Sequence, residues 1–356
     1  MGTLYTKLKI FKHKERLDAL GSHLPTILPP IHVRVKPTNI CNHNCDYCAY
    51  RVSHMQLGQD MNVKESLPKE KMFEVVDDFQ SMGVKAITFS GGGEPFCYPH
   101  FKETIVKLIN TDIKFSALTN GSRLRGELAE LFSHHATWIR VSMDGFDDQS
   151  YRDYRGVALG EFSKIMTNLE SFSRIGGDCS LGVVIVVDKR NASHIYNLSK
   201  RIRDIGLSSV KIAPCIVSND GKSTNEYHSS IFDLVREQVQ LVISELSSRD
   251  FEVFDSYHTQ LESFEKDYSY CPSLQLNPVI GADGIVYTCH DKAYNLKTGV
   301  LGNIKQQSFF EMWNKDKRRF FGLNPSKSCN HHCVADGQNK MLLEYIGIDD
   351  GHSDFV

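Results

Sequence analysis

From residue 31 onward, short β-rich runs alternate six times with helical stretches, and this rhythm leaves few folds open to the chain. The runs are HVRVK (32–36), KAITFS (85–90), IKFSALT (113–119), TWIRVSM (137–143), LGVVIVV (181–187) and SVKIAP (209–214). They are rich in Val, Ile and Thr and nearly continuous in apolar residues, as strands buried in a parallel sheet are. The clearest helix carries Met72, Val75, Val76, Phe79 and Met82 on one face and stops at Gly83. Others are predicted near 99–110, 123–134, 160–176, 192–205 and 229–247. Parallel neighbours need right-handed crossovers. Six β–α units therefore predict an α/β fold, a parallel sheet curling into an open, partial (βα)6 barrel.

The alternation ends after about residue 262. The stretch 262–340 is predicted to be a small metal-stapled module, with a hairpin (Asn277–Cys289, turning at Gly281–Gly284) and a short helix (Phe309–Phe321). Residues 1–30 form an N-terminal extension, 31–250 the barrel and 341–356 a tail. A net charge of −2 argues against a general nucleic-acid binder. The longest apolar run, about Leu181–Val187, is too short to span a bilayer, and the N-terminus lacks a signal peptide's apolar stretch. A cytoplasmic protein with no membrane or nucleic-acid partner is expected.

Ten cysteines are many for a cytosolic chain, where disulfides are rare, so clustered cysteines point to metal or redox chemistry. Three sit together, Cys41, Cys45 and Cys48, on the loop after the first strand. That end of a β–α barrel carries the chemistry. A cubane iron–sulfur cluster usually takes four thiolates, so three leave one iron open to a chelating ligand. The competing reading is a zinc knuckle that borrows His43 or His54.

The C-x3-C-x2-C spacing after strand one, with Tyr47 before the last cysteine, resembles the signature of the radical S-adenosylmethionine (SAM) superfamily, and the likeness extends over about residues 31–250. It implies a [4Fe-4S] cluster on Cys41, Cys45 and Cys48. It also implies SAM bound by Gly91, Gly92, Gly93 and Glu94 of SGGGEP, with Glu94 as an anionic acceptor for the SAM ammonium. Asn120 in TNG and Ser142 and Asp144 in SMDG are typical contacts to the SAM ribose or substrate, and Arg155 matches an arginine that meets the SAM carboxylate. The implied chemistry is reductive cleavage of SAM to a 5′-deoxyadenosyl radical, which abstracts a hydrogen atom from an unactivated C–H bond. A reductant such as flavodoxin or ferredoxin would supply the electron.

The late segment, with Cys271 and Cys289 in C-x12-G-x4-C form, then GN, Trp313 and CNHHC, resembles the SPASM extension of these enzymes in its shortened, twitch form. Full SPASM modules hold two auxiliary clusters. Here Cys271, Cys289, Cys329 and Cys333 suffice for one auxiliary [4Fe-4S] cluster. Four cysteines alone would suit zinc as well. His290, His331 and His332 are expected to flank the metal without binding it.

Cys215 and Cys97 fall near the barrel rim, and Cys179 at the opposite end. A rim thiol can return a hydrogen atom to a substrate radical, so Cys215 and Cys97 are candidate hydrogen donors, against the ordinary role of cysteine as a small packing residue. The loops at 54–67 and 218–228 are expected to overhang the mouth, with Asn219, Asp220, Tyr227 and His228 as polar substrate contacts. The expected function is hydrogen abstraction from a carbohydrate or nucleotide sugar, giving dehydrogenation or epimerisation. The alternative is a SPASM-type maturase of a ribosomal peptide. Such maturases often carry an N-terminal winged-helix domain, for which the thirty residues before strand one are too short.

Overall fold

The computed structural model describes residues 5–20, 27–349, 351–352 and 354–355. One ten-stranded sheet organises it, in the order β10-β9-β8-β1-β2-β3-β4-β5-β6-β7. The strands are β1 (His32–Val35), β2 (Ala86–Phe89), β3 (Lys114–Thr119), β4 (Trp138–Met143), β5 (Ser180–Val187), β6 (Ser209–Pro214), β7 (Glu252–Asp255), β8 (Val279–Ile280), β9 (Ile285–Tyr287) and β10 (Val300–Asn303). Strands β1 to β7 run parallel, each beside the next. The crossovers are helices Lys69–Met82, Phe101–Ile109, Gly126–His135, Glu161–Ser173, Ile195–Asp204 and Phe232–Leu246. This is the α/β partial barrel that the β–α rhythm predicts.

Three features depart from the expectation. A seventh parallel strand, β7, extends the barrel beyond the sixth helix. Its four residues, EVFD, are half charged, so no apolar run marks it. Second, the C-terminal hairpin is not a separate sheet. Its β8 pairs with β1, matching Arg34 to Val279 and Val35 to Ile280, and the backbone N–H groups of Arg34 and Lys36 donate to Pro278 and Ile280. Third, the expected tail begins in a helix, Asp336–Gly347. Its Leu342 packs with Ile10, Leu17 and Leu276.

The barrel's inner and outer faces differ chemically. Burial alternates along β4, where Ile139, Val141 and Met143 are buried and Trp138, Arg140 and Ser142 keep some exposure. The buried set belongs to the main apolar core under the helices. Alternating side chains of a strand point to opposite faces, so the polar set faces the lumen. The lumen face of β4 therefore carries polar groups, where a continuous apolar run had suggested a strand buried on both faces.

Under the helices, Phe132 meets Phe96, Phe101 and Phe115 at ring-centroid distances of 5.1–5.7 Å. Phe132 is fully buried, so truncation removes apolar burial and leaves a cavity. Phe132→Ala should cost roughly 3–5 kcal/mol of stability in urea denaturation. Leu159→Ala, at a residue 62% exposed, should change it by less than about 0.5 kcal/mol.

Candidate active site

The first cysteine loop leaves β1 through Lys36–Pro37–Thr38 and is pinned from three sides. Below it, the Asn39 N–H donates to Glu65 (2.8 Å) and the Asn39 side chain to the Asn62 carbonyl (2.9 Å). Beside it lies the glycine-rich loop, where the N–H groups of Gly93 and Glu94 donate to the carbonyls of Thr38 and Ile40, both at 3.0 Å. A side chain on Gly93 would collide with the backbone of Asn39 and Ile40. The glycine thus admits the cysteine loop itself, a reason the sequence alone did not disclose.

On the third side stands helix Asp148–Arg155. The Asn44 N–H donates to the Arg155 carbonyl (2.8 Å), and a side chain on Gly156 would lie 2.8 Å from the Asn44 carbonyl oxygen. Gly156 also has φ +58°, which caps the helix in a left-handed conformation. The Arg155 guanidinium is buried. Its Nε donates to Asp144 Oδ1 (2.7 Å), its Nη2 to the Ser142 carbonyl (2.9 Å) and hydroxyl (3.0 Å), and its Nη1 points at Cys45 Sγ (3.6 Å). Burial works against the Arg155 charge, but Asp144, with Tyr47 and Tyr151, overrides it and raises its pKa. Three predicted residues, Ser142, Asp144 and Arg155, are thus joined in one network that ends on a cysteine sulfur.

Glu94 is buried, and both carboxylate oxygens accept hydrogen bonds from the protein. Oε1 takes the Thr119 hydroxyl (2.6 Å) and the Phe96 N–H (3.1 Å), and Oε2 takes the Asn120 N–H (2.7 Å). Burial raises its pKa, and these donors oppose the rise. Asn120 also donates to Asn42 Oδ1 (2.9 Å), between the first two cysteines. Asp46, Tyr154, Asp188 and Arg190 had no sequence signal. Arg190 bridges Asp46 (2.7 Å) and Asp188 (2.7 Å), and the Tyr154 hydroxyl donates to Asp188 (2.5 Å).

A cavity of about 410 Å³ opens over this loop. Cys45, Tyr47, Cys48, Ser142, Arg155 and Cys215 line it on the barrel side. Gly91, Gly92, Gly93, Glu94, Asn120 and Asp144 lie outside its wall, as does Cys97, whose thiol contacts Asn42. Cys215 is buried at the end of β6, and burial, with Asp188 and Asp144 nearby, pushes its thiol up to about 12. The predicted overhanging loop 218–228 is mostly a helix, Gly221–Ser229. Asp220 caps that helix, and buried His228 bonds the Cys215 carbonyl (2.8 Å) and the Tyr257 hydroxyl (3.0 Å). Tyr227 lies under Lys189. Asn219 alone of the four lines the cavity, and it ties the two long loops together through His54 (2.9 Å) and Gln56 (2.7 Å).

The far wall of the same cavity is the C-terminal module, with His290, Asp291, His331 and His332. Behind it the four late cysteines feel one another's charge: Cys271 and Cys329 act on Cys289, and Cys289 and Cys271 on Cys333. Ligand atoms of Asp291, His331 and Cys333 lie within 4.8 Å of one another. His331 is buried beside Asp291 (3.6 Å).

The surroundings fit an anionic cluster. Lys266 and Lys292 are buried. Among the described residues their ammonium groups donate only to carbonyls, Lys266 to Phe264 and His331, and Lys292 to Ser328 (3.1 Å). Burial raises the Cys329 pKa, and both lysines oppose that rise. Asn339 Nδ2 donates to Cys271 Sγ (3.3 Å). Buried cations without a carboxylate partner call for a negative group, and cysteine thiolates around iron supply one. At the first loop, the His43 N–H and Arg155 likewise aim at the Cys41 and Cys45 sulfurs. Burial pushes Cys41 up to about 12 and Cys271 up to about 11, so metal binding must release protons.

Two family models match this arrangement. That of the radical SAM superfamily covers residues 35–202, and that of the SPASM iron–sulfur cluster-binding domain covers 271–334. Together they span well over half the chain, which belongs to the radical SAM superfamily. It is a radical SAM enzyme with a C-terminal SPASM domain, and its cofactors are SAM and [4Fe-4S] clusters, an auxiliary cluster included.

Among relatives, the sporulation killing factor maturation protein SkfB of Bacillus subtilis is 25% identical over 287 residues, covering 80% of this chain and 64% of that one. A cysteine-type anaerobic sulfatase-maturating enzyme of Clostridium novyi is 26% identical over 327 residues, covering 83% of each. The chain spans 42% and 64% of the first two curated relatives' own lengths. The crystal structure of Streptococcus suis SuiB bound to precursor peptide SuiA has the same fold, with a TM-score of 0.64 at 14% identity over 90% of this chain and 73% of that one.

Two measurements test the ligand sets. Cys45→Ala and Cys289→Ala should each lose about half of the roughly eight irons per chain that two cubanes hold, and Cys179→Ala none. Equal iron in all three would refute the assignment. Lys292→Met removes a positive charge beside the auxiliary site and should lower its reduction potential. The shift should be on the order of 60 mV for each ~1.4 kcal/mol of charge interaction lost, read by potentiometric titration with electron paramagnetic resonance.

Proposed function

We propose that the chain modifies a peptide, abstracting a hydrogen atom from one residue held in the cavity between the two cysteine sets. The observation that carries this reading is the chemistry of the cavity wall. Tyr47, Ala49, Tyr50, Met55, Leu57, Val186, Ile216 and Val334 make it largely apolar. A sugar would bring a hydroxyl on nearly every carbon, and each buried hydroxyl left without a partner costs affinity. A peptide side chain suits such a wall, and its backbone can stay at the polar mouth. Two relatives that align over at least four fifths of this chain are maturation proteins by name. The carbohydrate reading, expected first from the sequence, gives way on these grounds to the peptide alternative.

When bound, SAM and the first cluster supply the 5′-deoxyadenosyl radical. The remaining work belongs to the chain. Arg155, held by Asp144 and Ser142, fixes the Cys45 side of the loop. The apolar wall excludes water from a reactive carbon. Cys215 presents a protonated thiol to the same space and is the candidate hydrogen donor.

The test is 5′-deoxyadenosine formation by the anaerobic, reconstituted enzyme with peptide and nucleotide-sugar panels. A peptide should raise the yield at least about tenfold over the uncoupled background, and sugars should not. Stimulation by a sugar alone would sink the proposal. For the donor role, Cys215→Ala should abolish deuterium incorporation from heavy water while SAM cleavage continues; unchanged incorporation would remove Cys215 from the mechanism.

A further inference from the structure

A second cavity, of about 310 Å³, lies within the barrel away from the cysteine loops. Its walls come from strands β1 to β6, the cations standing on β1, β4 and β6, and from the segment beginning at Tyr5. Arg34, Arg140 and Lys211 converge on it from those three strands. They sense one another: Arg140 and Arg34 both depress Lys211, whose pKa burial and this repulsion bring down to about 8. Among the described residues, none of the three makes a salt bridge or a side-chain hydrogen bond. Arg140 instead lies over the rings of Tyr5 (4.4 Å) and Trp138 (5.0 Å).

The acids nearby do not neutralise the group. Tyr50, Asp291 and Cys289 act on Arg34 alone of the three, and Asp291 is paired with His331. Glu252 acts on Tyr5 and Lys9, and its Oε2 is buried without a hydrogen bond. His32 bonds the Thr88 hydroxyl (2.8 Å) and is held neutral, near a pKa of about 3, by burial and Arg34. The Tyr5 hydroxyl is buried near Ser209 without a hydrogen bond of normal geometry, and Ser209 and Ser180 add hydroxyls to the wall. Lys9, also in the wall, is an exposed residue, so the cavity reaches the surface there.

Half-buried positive charges crowded into one cavity repel unless an anion joins them, and guanidinium and ammonium groups around hydroxyl donors match a tetrahedral oxyanion. We propose that this end of the barrel is a binding site for a small phosphate-class oxyanion, held by Arg34, Arg140 and Lys211 with the Tyr5 hydroxyl as a further donor. The ligand serves as the counter-charge of the lumen and links three strands that otherwise repel across it. The site is independent of the peptide reading and of SAM cleavage.

Inorganic phosphate is the probe, titrated into the reconstituted full-length enzyme by calorimetry and followed by thermal unfolding. Sodium chloride of equal ionic strength is the control. One site per chain is expected, with a melting rise of roughly 3–4 °C at about 100 times Kd. Arg140→Met with Lys211→Met should abolish the response and, by relieving repulsion, leave the ligand-free protein at least as stable. Lys211→Met alone keeps Arg140 on its two rings and should weaken phosphate at least about tenfold, so the test survives if the double variant fails to fold. A phosphate effect no larger than that of chloride would overturn the proposal, as would equal phosphate binding by Lys211→Met. Binding of succinate but not phosphate would overturn the phosphate assignment.

Discussion

The buried pair between Arg155 and Asp144 is the contact on which the first site depends. An arginine placed this deep is tolerable only because Asp144 and Ser142 occupy its donors. With the fork fixed, one remaining N–H faces the Cys45 sulfur, and the helix behind it receives the N–H groups of Asn44 and Asp46. The ends of β4 and of the next helix therefore set the loop's shape. Removal of either charge would strand the other in a low-dielectric site and loosen the loop with it.

The same economy governs the second site. Lysines are seldom buried, yet Lys266 and Lys292 both are, each bonded to carbonyl oxygens. Their charge makes sense as the complement of a thiolate-bound cluster. Neither residue stands out in the sequence, where a lysine near a cysteine means little until the fold shows it buried. Arg34, Arg140 and Lys211 were hidden in a similar way. They sit inside strands whose Val and Ile neighbours dominated the pattern, and only the alternation of faces reveals that they point into the lumen.

Much of the architecture was legible because parallel strands under helices impose long apolar runs, and six strands fall within a residue or two of their predicted bounds. The cysteine spacing and the glycine loop were legible as motifs. What stayed hidden depends on distant partners. Strand β8 has two residues, and its pairing with β1 joins positions far apart in the chain. The polar stretch GKSTNEYHS has no apolar period, so it resembled a loop; Asp220 with Ser223 three residues on was the one capping signal available. Glu94 and Gly93 were noticed for what they offer a ligand. Their hydrogen bonds and close packing within the protein could not be foreseen from the motif.

The pairing of β8 with β1 carries a consequence for how this chain can be divided. An open barrel ends in a strand with a row of unsatisfied amides, and such a rim invites sticking to another molecule. Here the C-terminal module covers the β1 rim, taking up the amides of Arg34 and Lys36. A barrel fragment cut before residue 262 would lose more than its auxiliary iron. It would bare a raw seam beside the very strand that launches the first cysteine loop. The two halves are thus chaperones of each other's edges, and the span between their metal sites is held by sheet hydrogen bonds rather than by a flexible tether.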